Sequence, residues 1–285
     1  MAATKPNAVE LVGQMPEVDS PNQASKFTGP NPETAEKTFA EILAGGRETI
    51  LDLIGLMRDS TDPDFQNYKA GYVLHGVVLH AGRPGMENQR KLLAETMAAQ
   101  LGGDTPSKGV KGFLIRELQV VGGKEIVGAL GQQLAVDELG EYAALALLAI
   151  RDGAAEQFRK ALATAEGKNR VTVVQALGVL RDAGSVAALM KSAGVEDREV
   201  RVASVWALAN IGDASAVEAV IKASEASEGW ERTQTAKACL LLAERLLAAG
   251  NKGAASRLYQ HLRDTRKDPA ERYLREIAEN ALTAA

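Results

Sequence analysis

At 285 residues with 46% apolar content the chain can bury a continuous core, but only 4% is aromatic, a balance that speaks against a β-sandwich and fits helices packed through small residues. A net charge of −4 leaves no basic surplus to neutralise phosphates, so no nucleic acid is expected as a partner. The single cysteine, Cys239, excludes an internal disulfide framework and reads as a small core residue, and no apolar run approaches the ~18 residues of a membrane span.

Residues 1–30 hold Pro6, Pro16, Pro21 and Pro30 among Asn, Ser and Gln, with short apolar pieces at Val9, Leu11, Val12, Met15 and Val18. They predict an extended N-terminal arm with room for one helical turn. Its apolar residues predict that part of 5–20 seats on helices, either its own or those of a second copy, which makes a homo-oligomer through the arm an expected association. The arm lacks the 7–15-residue apolar stretch of a signal peptide. A cytoplasmic location is expected unless Met1 stands where a signal was removed, in which case the expectation is periplasmic.

Helices are predicted from 31 onward. Asn31-Pro32 is a cap followed by proline at the first helical position, and Gly45-Gly46 ends the helix that carries Phe39, Ile42 and Leu43. A second helix carries Ile50, Leu53 and Ile54. Asp62-Pro63 repeats the start signal for a helix through Phe65, Tyr68, Tyr72, Val73 and Val77, broken at Gly82-Arg83-Pro84-Gly85. Inside it, Gly71 and Gly76 each cost roughly 1 kcal/mol against alanine, so a close approach is expected to require them. Another helix spans 86–101. The last follows Asp268-Pro269, with Tyr273, Leu274, Ile277, Ala278 and Leu282 on one stripe and charged residues opposite, as the end of a stack requires.

Between these ends the chain repeats itself. Leu118, Leu147, Leu177 and Leu208 follow at steps of 29, 30 and 31. Three residues after each comes an aliphatic (Val121, Ile150, Leu180, Ile211). Five after come Gly123, Asp152, Asp182 and Asp213, and seven before come Lys111, Gly140, Arg170 and Arg201. A fixed period of this length with two helical patterns inside predicts an all-α fold, a right-handed α-solenoid of about six antiparallel helix pairs over 31–285, most regular over 110–224. On the helix whose first stripe is Val200, Ala203, Ala207, Leu208 and Ile211, Val202, Val205, Trp206 and Ala209 form a second apolar stripe, expected of a helix packed between neighbours.

The segment DREVRVASVWALANIGDASAVEAVIKA (197–223) resembles the HEAT-repeat family in its short bacterial form, the phycobilisome-lyase-type HEAT-like repeat. The resemblance implies an in-register ladder of hydrogen bonds between adjacent repeats, made by Arg170, Arg201 and Arg232 with Asp152, Asp182 and Asp213, incomplete where Lys111, Gly140 and Gly123 fill its positions. Arg201 is expected to meet Asp182 or Asp213. By analogy with the family, the second helix of each pair lines the concave surface. Its polar residues are then the expected protein-binding face: Gln132, Gln133, Gln157, Arg159, Lys160, Lys191, Glu218, Lys222, Arg257, Gln260 and His261. Tyr68, Tyr72 and His75, at i, i+4 and i+7, form a candidate aromatic patch whose alternative reading is tight packing.

No chemistry is legible. His75 and His80 lie five apart, about 140° around a helix, and do not share a face. There is no His-Glu dipeptide of the kind that HEAT-type hydroxylases use for iron, no H-E-x-x-H, C-x-x-C or G-x-S-x-G, and no complete phosphate loop. Catalytic, metal and cofactor residues are therefore expected to be absent. The expected function is a non-catalytic scaffold or adaptor that binds a protein partner through its curved surface. Two alternatives stand beside it: an accessory or cofactor-handling subunit of the bilin-lyase kind, and a DNA-binding HEAT-like protein, which the acidic charge opposes.

Overall fold

The computed structural model describes residues 7–16, 29–59, 62, 68–226 and 229–284. The fold is all-α: the described residues contain no strand and form a succession of stacked helix pairs, a solenoid. The chain divides into two compact units, residues 1–154 and 155–285.

In the first unit, α1 (Ala8–Gly13) precedes α2 (Pro32–Ala44), α3 (Gly46–Gly55), α4 (Lys69–Ala81), α5 (Glu87–Ala98), α6 (Lys108–Val121), α7 (Val127–Gln133) and α8 (Gly140–Ile150). The first helices of the pairs, α2, α4, α6 and α8, pack side by side, and α3, α5 and α7 lie behind them. Asn31 Oδ1 accepts from the amides of Glu33 and Thr34 at 2.9 and 3.1 Å, so the predicted cap starts α2. Gly46, at φ +69°, takes the chain straight into α3, a conformation that side chains with a Cβ rarely adopt. The start expected at Asp62-Pro63 falls partly outside the described residues, and α4 begins at Lys69.

Gly76 is where α4 and α2 touch: a Cβ there would stand 2.1 Å from Cζ of the Phe39 ring. The close approach read from the sequence is real at Gly76. At Gly71 the nearest atoms, on Phe113, are 3.7 Å from such a Cβ, an ordinary contact.

Part of the segment read as an extended arm is helical. Asn7 accepts from the amide of Val9 at 3.0 Å and caps α1. This helix packs on α2, α3 and α4 of its own chain, and with Met15 after it buries Ala8, Leu11 and Val12. Tyr68 fastens this segment by donating its hydroxyl to the Pro16 carbonyl at 2.5 Å.

In the second unit, α9 (Ala154–Ala161) leads into α10 (Gly167–Leu180), α11 (Val186–Ser192), α12 (Arg198–Ile211), α13 (Val217–Ser224), α14 (Gly229–Ala248), α15 (Lys252–Thr265) and α16 (Arg272–Ala284). Here α10, α12 and α14 form the layer of first helices, α11 and α13 lie behind, and α15 and α16 close the stack. Asp197 caps α12 by accepting from the amides of Glu199 and Val200 at 2.9 and 3.1 Å. Gly212, at φ +81°, ends it in the left-handed conformation that favours glycine. On α12 the second apolar stripe divides. Val202, Val205 and Ala209 are buried, whereas Trp206 is 36% exposed. The stripe on α16 divides likewise: Leu274 and Ala278 are buried, and Tyr273 and Ile277 face out.

Candidate functional site

The arginines in register hold the second unit together, with partners other than those expected. Arg201 forms a bidentate pair with Glu231 on α14, both bonds 2.9 Å, and reaches back to the Val195 and Glu196 carbonyls at 3.0 and 2.5 Å. Arg232 repeats the arrangement with Glu271 at 2.7 and 2.8 Å and the Ala226 carbonyl at 3.0 Å. Each guanidinium thus closes the loop before its own helix and clamps the next repeat.

Asp182 and Asp213 cannot serve Arg201. Asp213 follows the far end of α12, and a 14-residue helix is about 20 Å long. Asp213 instead accepts from the Ser215 amide at 2.8 Å, and Asp182 accepts from Arg159 at 2.5 Å. Asp152 is exposed, 3.7 Å from Lys124. Among the described residues Arg170 reaches only Ser192 Oγ, at 3.4 Å.

Arg201 holds the Glu231 carboxyl below the ordinary carboxylate range, and the Ser215 hydroxyl and amide do the same for Asp213. The unfolded chain therefore takes up protons at a higher pH than the folded one at both sites. Their contribution is complete above the unfolded carboxylate range and is lost as pH falls through and below about 4. Replacing Glu231 by glutamine should flatten the acid limb of a stability-versus-pH curve. Parallel limbs for parent and variant would contradict this assignment.

The layer of first helices carries a recess in the second unit. Val171, Gln175 and Val179 of α10, Glu199, Val202, Ala203 and Trp206 of α12, and Trp230, Gln234, Lys237, Ala238 and Leu241 of α14 line a groove of about 790 Å³. It holds both tryptophans of the chain. Trp230 is 50% exposed, and the Arg198 guanidinium lies 5.5 Å from its ring centroid. Trp206 is set by Gly178: a Cβ at that glycine would stand 2.8 Å from Trp206 Cζ3 and 2.8 Å from the Ala207 Cα. Asn210 fixes the same crossing. Its amide donates to the Gly178 carbonyl at 2.9 Å and its Oδ1 accepts from Arg245 at 2.9 Å, joining α10, α12 and α14.

The residues expected to form the binding face stand elsewhere, on the second helices. Lys191 and Lys222 are exposed. Three of the other cations are engaged with carboxylates of the chain itself: Arg159 with Asp182, Lys160 with Glu156 and Arg257 with Glu218. Gln132 is exposed, Gln133 is buried and Gln157 is half-buried. His261 is half-buried with Nε2 2.8 Å from Ser224 Oγ, and burial, then Arg266, pushes its pKa down. In the first unit the Tyr68 and Tyr72 rings meet at 6.2 Å, and Tyr72 meets Phe39 at 6.1 Å. His75 Nδ1 lies 3.0 and 3.2 Å from the Glu117 carboxylate oxygens. This cluster packs α1, α2 and α6 against α4.

The family model for HEAT repeats matches residues 155–241, a span that contains every residue lining the groove. The likeness to HEAT repeats is shown for this segment. No curated protein matches the chain as a relative. Among solved structures it is similar to the complex of CpcE and CpcF of phycocyanin lyase from Nostoc sp. PCC7120, at 19% identity over 85% of this chain and 98% of that one, with a TM-score of 0.35. It is also similar to human deoxyhypusine hydroxylase in complex with glycerol (16% identity, 98% and 96% coverage, TM-score 0.35) and to an engineered protein (20%, 82% and 96%, 0.32).

The likeness to HEAT repeats rests on the family model over 155–241, and the helix pairs of the fold agree with it. The expectation of a protein without enzymatic activity is corrected: HEAT repeats are not in themselves evidence against catalysis. Among the described residues no three His, Cys, Asp or Glu side chains are grouped as a metal site requires, and no helix is long and apolar enough to cross a membrane.

Proposed function

We propose that this HEAT-repeat chain binds a partner protein through the face of its first helices, with the groove on α10, α12 and α14 as the contact and Trp206 and Trp230 as its anchors. The supporting observation is the placement of both tryptophans at one groove, one of them seated by a glycine that admits no side chain. Indole rings bury large area at little cost in conformational entropy, which is why interface energy concentrates on such residues. Exposed indoles beside apolar Val179 and Val202 are costly to leave in water and gain when covered. The second-helix face offers less, because its cations are largely neutralised by neighbouring carboxylates.

The test is capture of a binding protein from the native source by the parent chain, repeated with two variants. W206A/W230A should lose the captured protein, and K191A/K222A should retain it. Retention by the tryptophan variant, with loss by the lysine variant, would move the contact to the second helices and overturn the proposal.

A further inference from the structure

Resting on that reading, we infer the chemistry of the segment that fills the groove: an extended, proline-rich stretch of the partner. Six polar or amphipathic side chains face the groove, those of Gln175, Glu199, Trp206, Trp230, Gln234 and Lys237. Among the described residues none of them has a hydrogen-bond or ion-pair partner within the protein. Their hydrogen-bonding capacity is lopsided. The two indole Nε1–H groups and the Lys237 ammonium only donate, both glutamines donate and accept, and Glu199 alone only accepts. An occupant that satisfies this set brings carbonyls in excess of N–H groups.

Three kinds of peptide can be compared. A helix presents a backbone already paired with itself, so it covers the indoles and leaves the donors unmatched. An ordinary extended strand brings N–H and C=O in equal numbers, and its amides compete for the single acceptor-only group. A proline-rich segment has lost its N–H groups, keeps its carbonyls unpaired in the polyproline II form, and lies its pyrrolidine rings on aromatic faces. It matches both the apolar rings and the surplus of donors. Glu199 then faces a basic residue flanking the prolines, and preorganisation of the ligand lowers the entropy lost on docking.

Fluorescence anisotropy with a dye-labelled decaproline peptide tests this on the full chain. Saturable binding is expected, weakened about tenfold or more by either W206A or W230A. Q234E, which replaces a donor by an acceptor on a half-exposed side chain, should weaken it several-fold without moving the melting temperature. A glycine–serine peptide of equal length should not bind. Absence of saturable decaproline binding, or binding indifferent to W206A and W230A, overturns the inference. If a leucine–lysine amphipathic helical peptide binds instead and depends on the two tryptophans, the proline assignment falls and the binding face stands. If no peptide binds and capture of the native partner also ignores W206A/W230A, the binding face falls with it.

Discussion

Replacing Glu271 by alanine is expected to lower the unfolding free energy by about 3–5 kcal/mol. Glu271 accepts two bonds from Arg232 and lies 3.8 Å from Arg266 Nη1. Arg266 is 1% exposed, donates to the Ser224 carbonyl at 2.6 Å and has no partner for its Nε. One carboxylate thus serves two guanidinium groups, one of them taken wholly out of water. Burial first, and then the charge of Arg232, pushes the Arg266 pKa down, which is the mark of a cation short of compensation.

A solvent-exposed pair would contribute only about 0–1 kcal/mol. Here the side-chain exposures are 23% for Arg232 and 14% for Glu271, so the cost of stranding buried charge decides the magnitude. Urea unfolding of E271A measures it. A loss under about 1 kcal/mol would show that water reaches the cluster and would sink this account. E271L/R266M, which removes the buried cation together with its anion, should recover much of the loss.

Gly178→Ala is expected to destabilise by about 1–3 kcal/mol and to displace Trp206. Alanine is favoured over glycine inside a helix by roughly 1 kcal/mol, so the sign depends on space alone. At Gly178 the added Cβ meets backbone, 2.8 Å from the Ala207 Cα and 2.9 Å from its Cβ, and no rotation of a side chain relieves that. At Gly253 in α15 the same substitution meets nothing within 4 Å, and it should stabilise by about 0.5–1 kcal/mol. The pair of variants separates steric clash from helix propensity. Loss of partner affinity in G178A beyond its loss of stability would tie the α10–α12 crossing to the groove. A stabilised G178A with unchanged tryptophan emission would contradict the crossing described.

The period of the leucines made the helix pairs legible because a repeat must present the same apolar face to each neighbour. The cap at Asn31 was legible for a local reason: the side chain and the amides it serves lie within three residues. The partners of Arg201 and Arg232 were not. Glu231 and Glu271 stand 30 and 39 residues away, and the second spacing breaks the period because the last repeats are longer. A first-turn glutamate placed one repeat after each arginine was the available signal.

The groove was half legible. Trp206 was visible at the edge of an apolar stripe, but a helical stripe marks what is apolar and leaves open which rim a neighbour covers. Trp230, in a different repeat, joins it only through the packing of α12 on α14. The second-helix face was assigned by family analogy; of its cations Arg159, Lys160 and Arg257 meet carboxylates of the chain, a pairing that no periodicity announces. The helix within the arm was legible only as room for one turn, because six residues between prolines and a turn are too few for a helical period to place it.

Site-specific photo-crosslinking tests the central claim most directly, with a crosslinkable residue placed at Gln175 or Lys237 on the first-helix face and at Lys191 or Lys222 on the second. The account predicts that the partner protein is joined through 175 and 237, and that neither 191 nor 222 yields the adduct. Adducts formed at 191 and 222 but not at 175 and 237 would contradict it.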